Sequence, residues 1–311
     1  MPRRVEITIS PVETEALVER IMGIDGLIGL RVQAGASRKP YGDVISLEIT
    51  NRALPELARL LEGSGVGNSA TGSFSTSEPI SITSSTLDAA IVRDVSDATW
   101  EEMELVIAKN SNVNPDTALL MAITGVIATI GIATNALHIV VGAMLIAPGF
   151  QPIVRVALGI VGRSEAWRRG LADIARGYIA LAAGAAATAH FLRALGESAI
   201  GMTEASYLPE GVLVSYWTTI TVPSLVVTTV AGMAGALLIA TNRAVLTAGV
   251  MVAIALVPGA TIAVAAAIDG EFALAASGAT RWLIEIVLVL LASLLVLQWK
   301  QSRVHRRPAM L

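Results

Sequence analysis

Two prolines four positions apart, Pro148 and Pro152, interrupt an apolar run from Asn135 to Val161. A proline inside a helix removes a backbone hydrogen bond and clashes with the preceding turn, so MLIAPGFQPI (144–153) is expected to break near its middle. A break frees carbonyls at the end of one half-helix, which suit a cation, and N–H groups at the start of the next, which suit an anion. Gly149 lies in the same stretch, Gln151 adds an amide, and Arg155 lies about one turn beyond Pro152, where it could face an anion. A second pair, Pro258–Gly259 in AIALVPG, falls about halfway through a later apolar run. The chemistry these residues suggest is coordination of a small ion or solute at two Pro-Gly helix breaks. An anion is slightly favoured by Arg155 and by the scarcity of acids at mid-depth. The plain alternative is two kinked helices packed through glycine, with the freed groups satisfied by neighbours.

Other ionisable residues invite the same weighing. Arg281 and Glu285 share one helical face inside an apolar run, and intramembrane charges are functional candidates by default. They are expected near the outer end of their span, where a local ion pair serves equally well. His190 is placed near an outer helix end and reads as a hydrogen-bonding group. Arg176 and Arg193 can extend to the interface, and Asn135 and Asn242 read as helix caps. The small-residue stretch AAGAAATA (182–189) reads as close helix packing. No Ser/His/Asp set, His/acid metal cluster or nucleotide motif is recognisable, and the chain has three His and no Cys. It is therefore not read as an enzyme, and no cofactor or metal is expected.

The elements that must hold these residues are legible from composition. The 311 residues are 54% hydrophobic, 15% charged and 4% aromatic, with a mean hydropathy of +0.66, a composition of helical membrane proteins. A net charge of −3 carries no signal for nucleic acid. A spanning helix needs about 20 mostly apolar residues. Six candidates follow, at 116–134, 136–161, 170–194, 212–240, 243–268 and 280–299. The fourth contains Pro223, so a kink or a preceding interfacial helix is expected. Basic residues fall on one side, as Arg163, Arg168, Arg169, Arg243, Lys300, Arg303, Arg306 and Arg307. Acids fall on the other, as Glu197, Glu204, Glu210, Asp269 and Glu271. The N-terminal stretch has no apolar signal segment. The expectation is a multi-pass protein of the cell inner (plasma) membrane with both termini cytoplasmic.

Residues 1–83 read differently. Alternating or β-branched runs at 3–10, 27–35 and 43–50, helical patterns at 11–22 and 51–65, and a weaker strand within 70–83 give the order β-α-β-β-α-β. That is a ferredoxin-like α/β domain, serving either as a packing module or as a ligand-binding regulatory domain. GSGVG (63–67) follows a helix and lacks the Lys-Ser/Thr of a phosphate loop, so it reads as a plain loop. Residues 84–115 are a linker with an amphipathic helix at 99–111, residues 116–300 the membrane domain, and 301–311 a basic tail.

The membrane domain repeats itself. ITGVIATIGIATNALHIVVGAMLIAPG (123–149) resembles VAGMAGALLIATNRAVLTAGVMVAIALVPG (230–259), with IATN recurring at 132–135 and 239–242. Gly125, Gly142 and Met144 match Gly232, Gly249 and Met251, and Pro148–Gly149 matches Pro258–Gly259 after a three-residue insertion. The copies begin three spans apart, so they have opposite orientations, the 3+3 inverted repeat of transporter-like folds.

VGAMLIAPGFQPI (141–153), within 127–153, and the later AIALVPG (253–259) resemble an uncharacterised membrane family called domain of unknown function 389. The resemblance implies an integral membrane protein with an N-terminal ferredoxin-like region and no established substrate. Gly149 and Gly259 stand where that family often has a bulkier residue or a second proline, which implies more flexible breaks. The functional expectation is a transporter or channel, homo-oligomeric in the lipid bilayer. The alternative is a membrane-anchored sensor or scaffold whose N-terminal domain binds a ligand.

Overall fold

The computed structural model describes residues 2–64, 66, 72–79, 82, 91–92, 94, 100–195, 211–241, 243 and 246–305. Glu197, Glu204, Glu210, Asn242, Arg306, Arg307 and most of the 84–98 linker lie outside the described residues, as does part of the GSGVG loop. The chain forms two compact units, residues 1–99 and 100–303.

The first unit has the expected order: β1 (Arg3–Ile9), α1 (Pro11–Met22), β2 (Leu27–Arg38), β3 (Tyr41–Ile49), α2 (Leu54–Gly63) and β4 (Ser73–Ser77). The four strands are antiparallel in the order β2-β3-β1-β4. This is the split arrangement of ferredoxin-like domains. Alternation decides the faces. Val5, Ile7 and Ile9 point into a core with Leu17 and Ile21 of α1 and Leu57 and Leu61 of α2. Each such side chain contributes roughly 1.5–3 kcal/mol on burial. The alternate positions of the strands carry charge, with Glu48 bridged by Arg4 at 3.1 Å and Arg31 at 3.2 Å.

The second unit is all helix. It begins with amphipathic α3 (Trp100–Ser111), whose buried face is Trp100, Met103 and Ile107. Then follow α4 (Pro115–Ala133), α5 (Leu137–Ile146), α6 (Gln151–Gly162), α7 (Ala166–Leu195), α8 (Val212–Thr218), α9 (Val222–Ala240), α10 (Thr247–Ala253), α11 (Leu256–Asp269) and α12 (Phe272–Lys300). Four of these, α4, α7, α9 and α12, are long and apolar enough to cross a membrane. The bent pairs α5–α6, at 40°, and α10–α11, at 44°, bring the number to six if each pair is one span. This unit therefore has the four to six apolar helical spans of a membrane protein, by length and composition.

Starts and stops follow local chemistry. Asn114 caps α4 through Thr117 N at 2.8 Å, and a reciprocal Thr221–Ser224 capping box starts α9. The fourth apolar run is divided as its proline suggested, with α8 ending before Pro223 enters the first turn of α9. Asn135 ends α4 at φ 51°, a left-handed position that Asn tolerates. The small-residue stretch of α7 lets backbones touch: Gly184 faces the Ala122 carbonyl, and Gly125 of α4 faces Leu181.

Two expected boundaries shift. The third and sixth spans begin at Ala166 and Phe272, earlier than 170 and 280, because a polar or charged residue on one face does not end a helix whose other face is packed.

Candidate functional site

The first break is where the sequence put it. Residues 147–150 separate α5 from α6, so Pro148 and Gly149 are non-helical, and Pro152 sits in the first turn of α6, where proline is tolerated. The second break is not at Pro258–Gly259. It lies at Ile254 and Ala255, and Pro258 occupies the first turn of α11. Gly259 N donates to Ala255 O at 2.9 Å, an ordinary helical bond. The physical reason is that proline clashes only with the turn before it, so the chain breaks N-terminal to Pro258.

The first break and the first turn after the second lie against aromatic side chains of α7 and α12. Gly149 makes room for Tyr178, since a Cβ there would lie 2.8 Å from the phenol oxygen. Tyr178 in turn packs edge to face on Trp282, with ring centroids 5.0 Å apart. Trp282 lies against Gly259, where a Cβ would meet it at ordinary contact distance, 3.4–3.5 Å. Gln151 Nε2 donates to Thr247 Oγ1 at 3.4 Å, joining the start of α6 to the start of α10. The ring of Phe150 fills the space beside Gly235 of α9. A cavity of about 10 Å³, the room of one water, lies against the first break. Its lining includes Pro148, Gly149, Pro152, Asp173 and Tyr178.

These contacts separate the two glycines. Gly149→Ala should push Tyr178 and the break apart, at a cost of about 1–3 kcal/mol. Gly259→Ala should stay near neutral, because its added methyl meets normal van der Waals distances. Paired thermal melts of the two variants in detergent check this; equal losses would remove Tyr178 as the reason for glycine at 149.

Arg155 does not stand ready for an anion. It is 2% exposed, and its Nη1 pairs with Asp173 Oδ2 at 2.9 Å. The same nitrogen donates to Asn112 Oδ1 at 2.5 Å and Ser111 Oγ at 3.4 Å. Asp173 Oδ1 also accepts from Val113 N at 3.2 Å. The group therefore fastens the end of α3 to α6 and α7. The expectation that Arg155 favours an anion is corrected by this pairing: its charge is already compensated.

Arg281 and Glu285 do form the expected pair, at 2.6 Å, near the middle of their helix. Because α12 starts at Phe272 and ends at Lys300, Glu285 falls near its midpoint, about 20 Å along the helix at 1.5 Å per residue. An acid thus lies midway along a helix of spanning length, which weakens the second argument for an anion at Arg155. Glu285 is fully buried. Thr228 of α9 donates to its Oε1 at 3.2 Å, and the Ala255 amide of the second break lies beside it. Arg281 Nη1 donates to Ser224 Oγ at 2.6 Å. His190 and Arg176 are exposed side chains on α7, and Arg193 donates to Ile268 O at 2.6 Å.

Sequence reading missed Asp173, Tyr178, Thr228 and Trp282. Asp173 had a usable signal, an acid within an apolar helix, once α7 is allowed to start at Ala166. Tyr178, Thr228 and Trp282 carry none, since such residues are ordinary in spans and only packing brings them together.

Fold and site together give a helical unit with four to six candidate membrane spans, two bent helix pairs and a buried ion pair beside the second break. Residues 144–291 match the family model described as Domain of unknown function (DUF389), so the family resemblance read from the two proline stretches is borne out over that segment. No curated protein and no solved structure matches the chain.

Proposed function

We propose that this protein carries a small ion or solute across the membrane, along a path between the two helix breaks. The observation that carries the reading is that both breaks face α7 and α12: Gly149 of the first lies against Tyr178 of α7, Ala255 of the second lies beside Glu285 of α12, and Tyr178 packs on Trp282. Irregular backbone at membrane depth is sustained where it is buried in protein or lines a cavity, and transporters use such places as binding sites.

The reading of two inverted halves has support in the elements themselves. Helices α4 and α9 each have 19 residues and a proline in the first turn. Each is followed by a bent pair and then a helix of 30 or 29 residues. The offset between the two IATN segments, Ile132 to Ile239, also relates Pro148 to Ala255 and Pro152 to Gly259. With that offset no insertion is needed and the breaks coincide. Packing agrees: Gly170 of α7 sits on the Pro152 carbonyl, and Gly278 of α12 sits on the Gly259 carbonyl. Both termini are assigned to the cytoplasmic face of the inner membrane. The basis is Arg163, Arg168, Arg169, Arg243 and Lys300 on one side, against Asp269 and Glu271 on the other.

Flux into liposomes containing the purified protein tests the reading. Pro148→Ala, which allows helix to grow into the first break, should change flux several-fold. Pro258→Ala, inside a regular first turn, should change it less. Absence of flux across a broad panel of ions and solutes, with ligand binding by the N-terminal domain, would favour the membrane-anchored sensor instead.

A further inference from the structure

Two buried donors near the second break have no acceptor among the described residues: Arg281 Nε and the Tyr178 O–H, whose oxygen accepts from Trp282 Nε1. Beside them Glu285 Oε2 is a buried acceptor with no side-chain donor among the described residues, and the Ala255 amide is the backbone group beside that carboxylate. Unpartnered groups of this kind are costly in a low-dielectric interior, and a cluster of them marks a place where something else binds. Arg281 and Trp282 are adjacent on α12, Glu285 is one turn on, and Tyr178 stacks on Trp282 within electrostatic reach of Glu285. Two spare donors fit an anion. One spare carboxylate oxygen fits a proton.

We propose that the Arg281–Glu285 pair is a proton-coupled anion site. A proton taken up by the Glu285 carboxylate releases Arg281, whose guanidinium then holds a small monovalent anion carried with the proton. The inference rests on the transport reading above and names its substrate class. Charge is the physical reason. The empty site is neutral, because Arg281 and Glu285 compensate each other at 2.6 Å. An anion alone, or a proton alone, would leave a net charge buried at mid-membrane, which is costly. A proton and a monovalent anion together keep the site neutral. No covalent bond other than the carboxyl O–H forms or breaks, and Arg281 stays protonated throughout.

The surroundings fit this division of roles. When Glu285 is protonated, Arg281 keeps Ser224 of α9 as an anchor at 2.6 Å, so its head group stays in place. A metal cation is disfavoured, since Arg281 repels it and no group of three His, Cys, Asp or Glu side chains stands together among the described residues. The groups facing the pair are few. Tyr178 comes from α7, Thr228 and Ser224 from α9, and the Ala255 amide from the start of α11. Of the other helices packed on α12, α6 brings Arg155, already paired with Asp173, and α8 brings Tyr216, which is exposed. Helix α11 has no charged side chain before Asp269 at its end. The pair is closely packed, with Arg281 5% and Glu285 0% exposed, which sets the anion as small.

The test uses the full chain in liposomes with a pH dye inside and the membrane potential clamped by potassium and valinomycin. Chloride, nitrate and acetate are imposed in turn as inward gradients. Uptake of at least one anion should acidify the lumen, proceed at the same rate at different clamped potentials, and rise several-fold as the outer pH is lowered. Glu285→Gln should retain anion flux, lose luminal acidification and become dependent on potential. Anion flux without acidification in the natural protein, or acidification that survives in Glu285→Gln, overturns the proposal. Flux of cations alone overturns it while leaving transport standing, and absence of any flux removes both. Should Glu285→Gln fail to fold, titration calorimetry of the natural protein with the same anions, in buffers of different ionisation enthalpy, decides it. One proton taken up per anion bound supports the site, and none overturns it.

Discussion

Asp173→Ala is expected to lower the stability of the membrane unit by about 3–5 kcal/mol, the cost of stranding a buried charge. Arg155 and Asp173 are 2% and 7% exposed, so neither recovers full hydration when its partner is lost. The Asp173 carboxylate also accepts the Val113 amide, and Arg155 holds Ser111 and Asn112. Removing Asp173 therefore leaves a buried guanidinium and loosens the junction between α3 and α4. Asp173→Asn should cost less, because an amide keeps an acceptor for Arg155 while losing the charge. The measurement is the thermal melting point of each variant in one detergent. Near-equality of Asp173→Ala with the natural protein would mean that the junction is wet and the pair contributes little.

The second large effect concerns Arg281. Arg281→Met strands Glu285, buried near the middle of α12, and should cost a similar 3–5 kcal/mol. The double variant Arg281→Met, Glu285→Leu removes both charges and fills the space with apolar groups. It should melt near the natural protein, since replacing a buried pair with hydrophobic residues is often neutral or stabilising. Flux, in contrast, should be lost in the double variant. Recovery of stability without recovery of flux would separate a functional pair from a structural one. Recovery of both would show that the path does not use the pair.

Local features were legible from the residues alone. Apolar length, proline position and charge bias determined the membrane unit, its candidate spans and the first break, because the bilayer demands about 20 apolar residues per helix and a proline cannot complete a helical bond. Alternation and turn residues determined the four-stranded N-terminal unit, because one face of each strand must be dry. The tertiary structure decided what depended on neighbours. The position of the second break could not be read from Pro258, since a proline is as acceptable in a first turn as after a break. The role of Arg155 hinged on Asp173, which lies on another helix. The place of Glu285 along its helix hinged on where α12 begins, at Phe272. The spare donors of Tyr178 and Arg281 became a site only when two helices brought them near one carboxylate, because hydrogen-bond satisfaction is a property of surroundings and not of residue type.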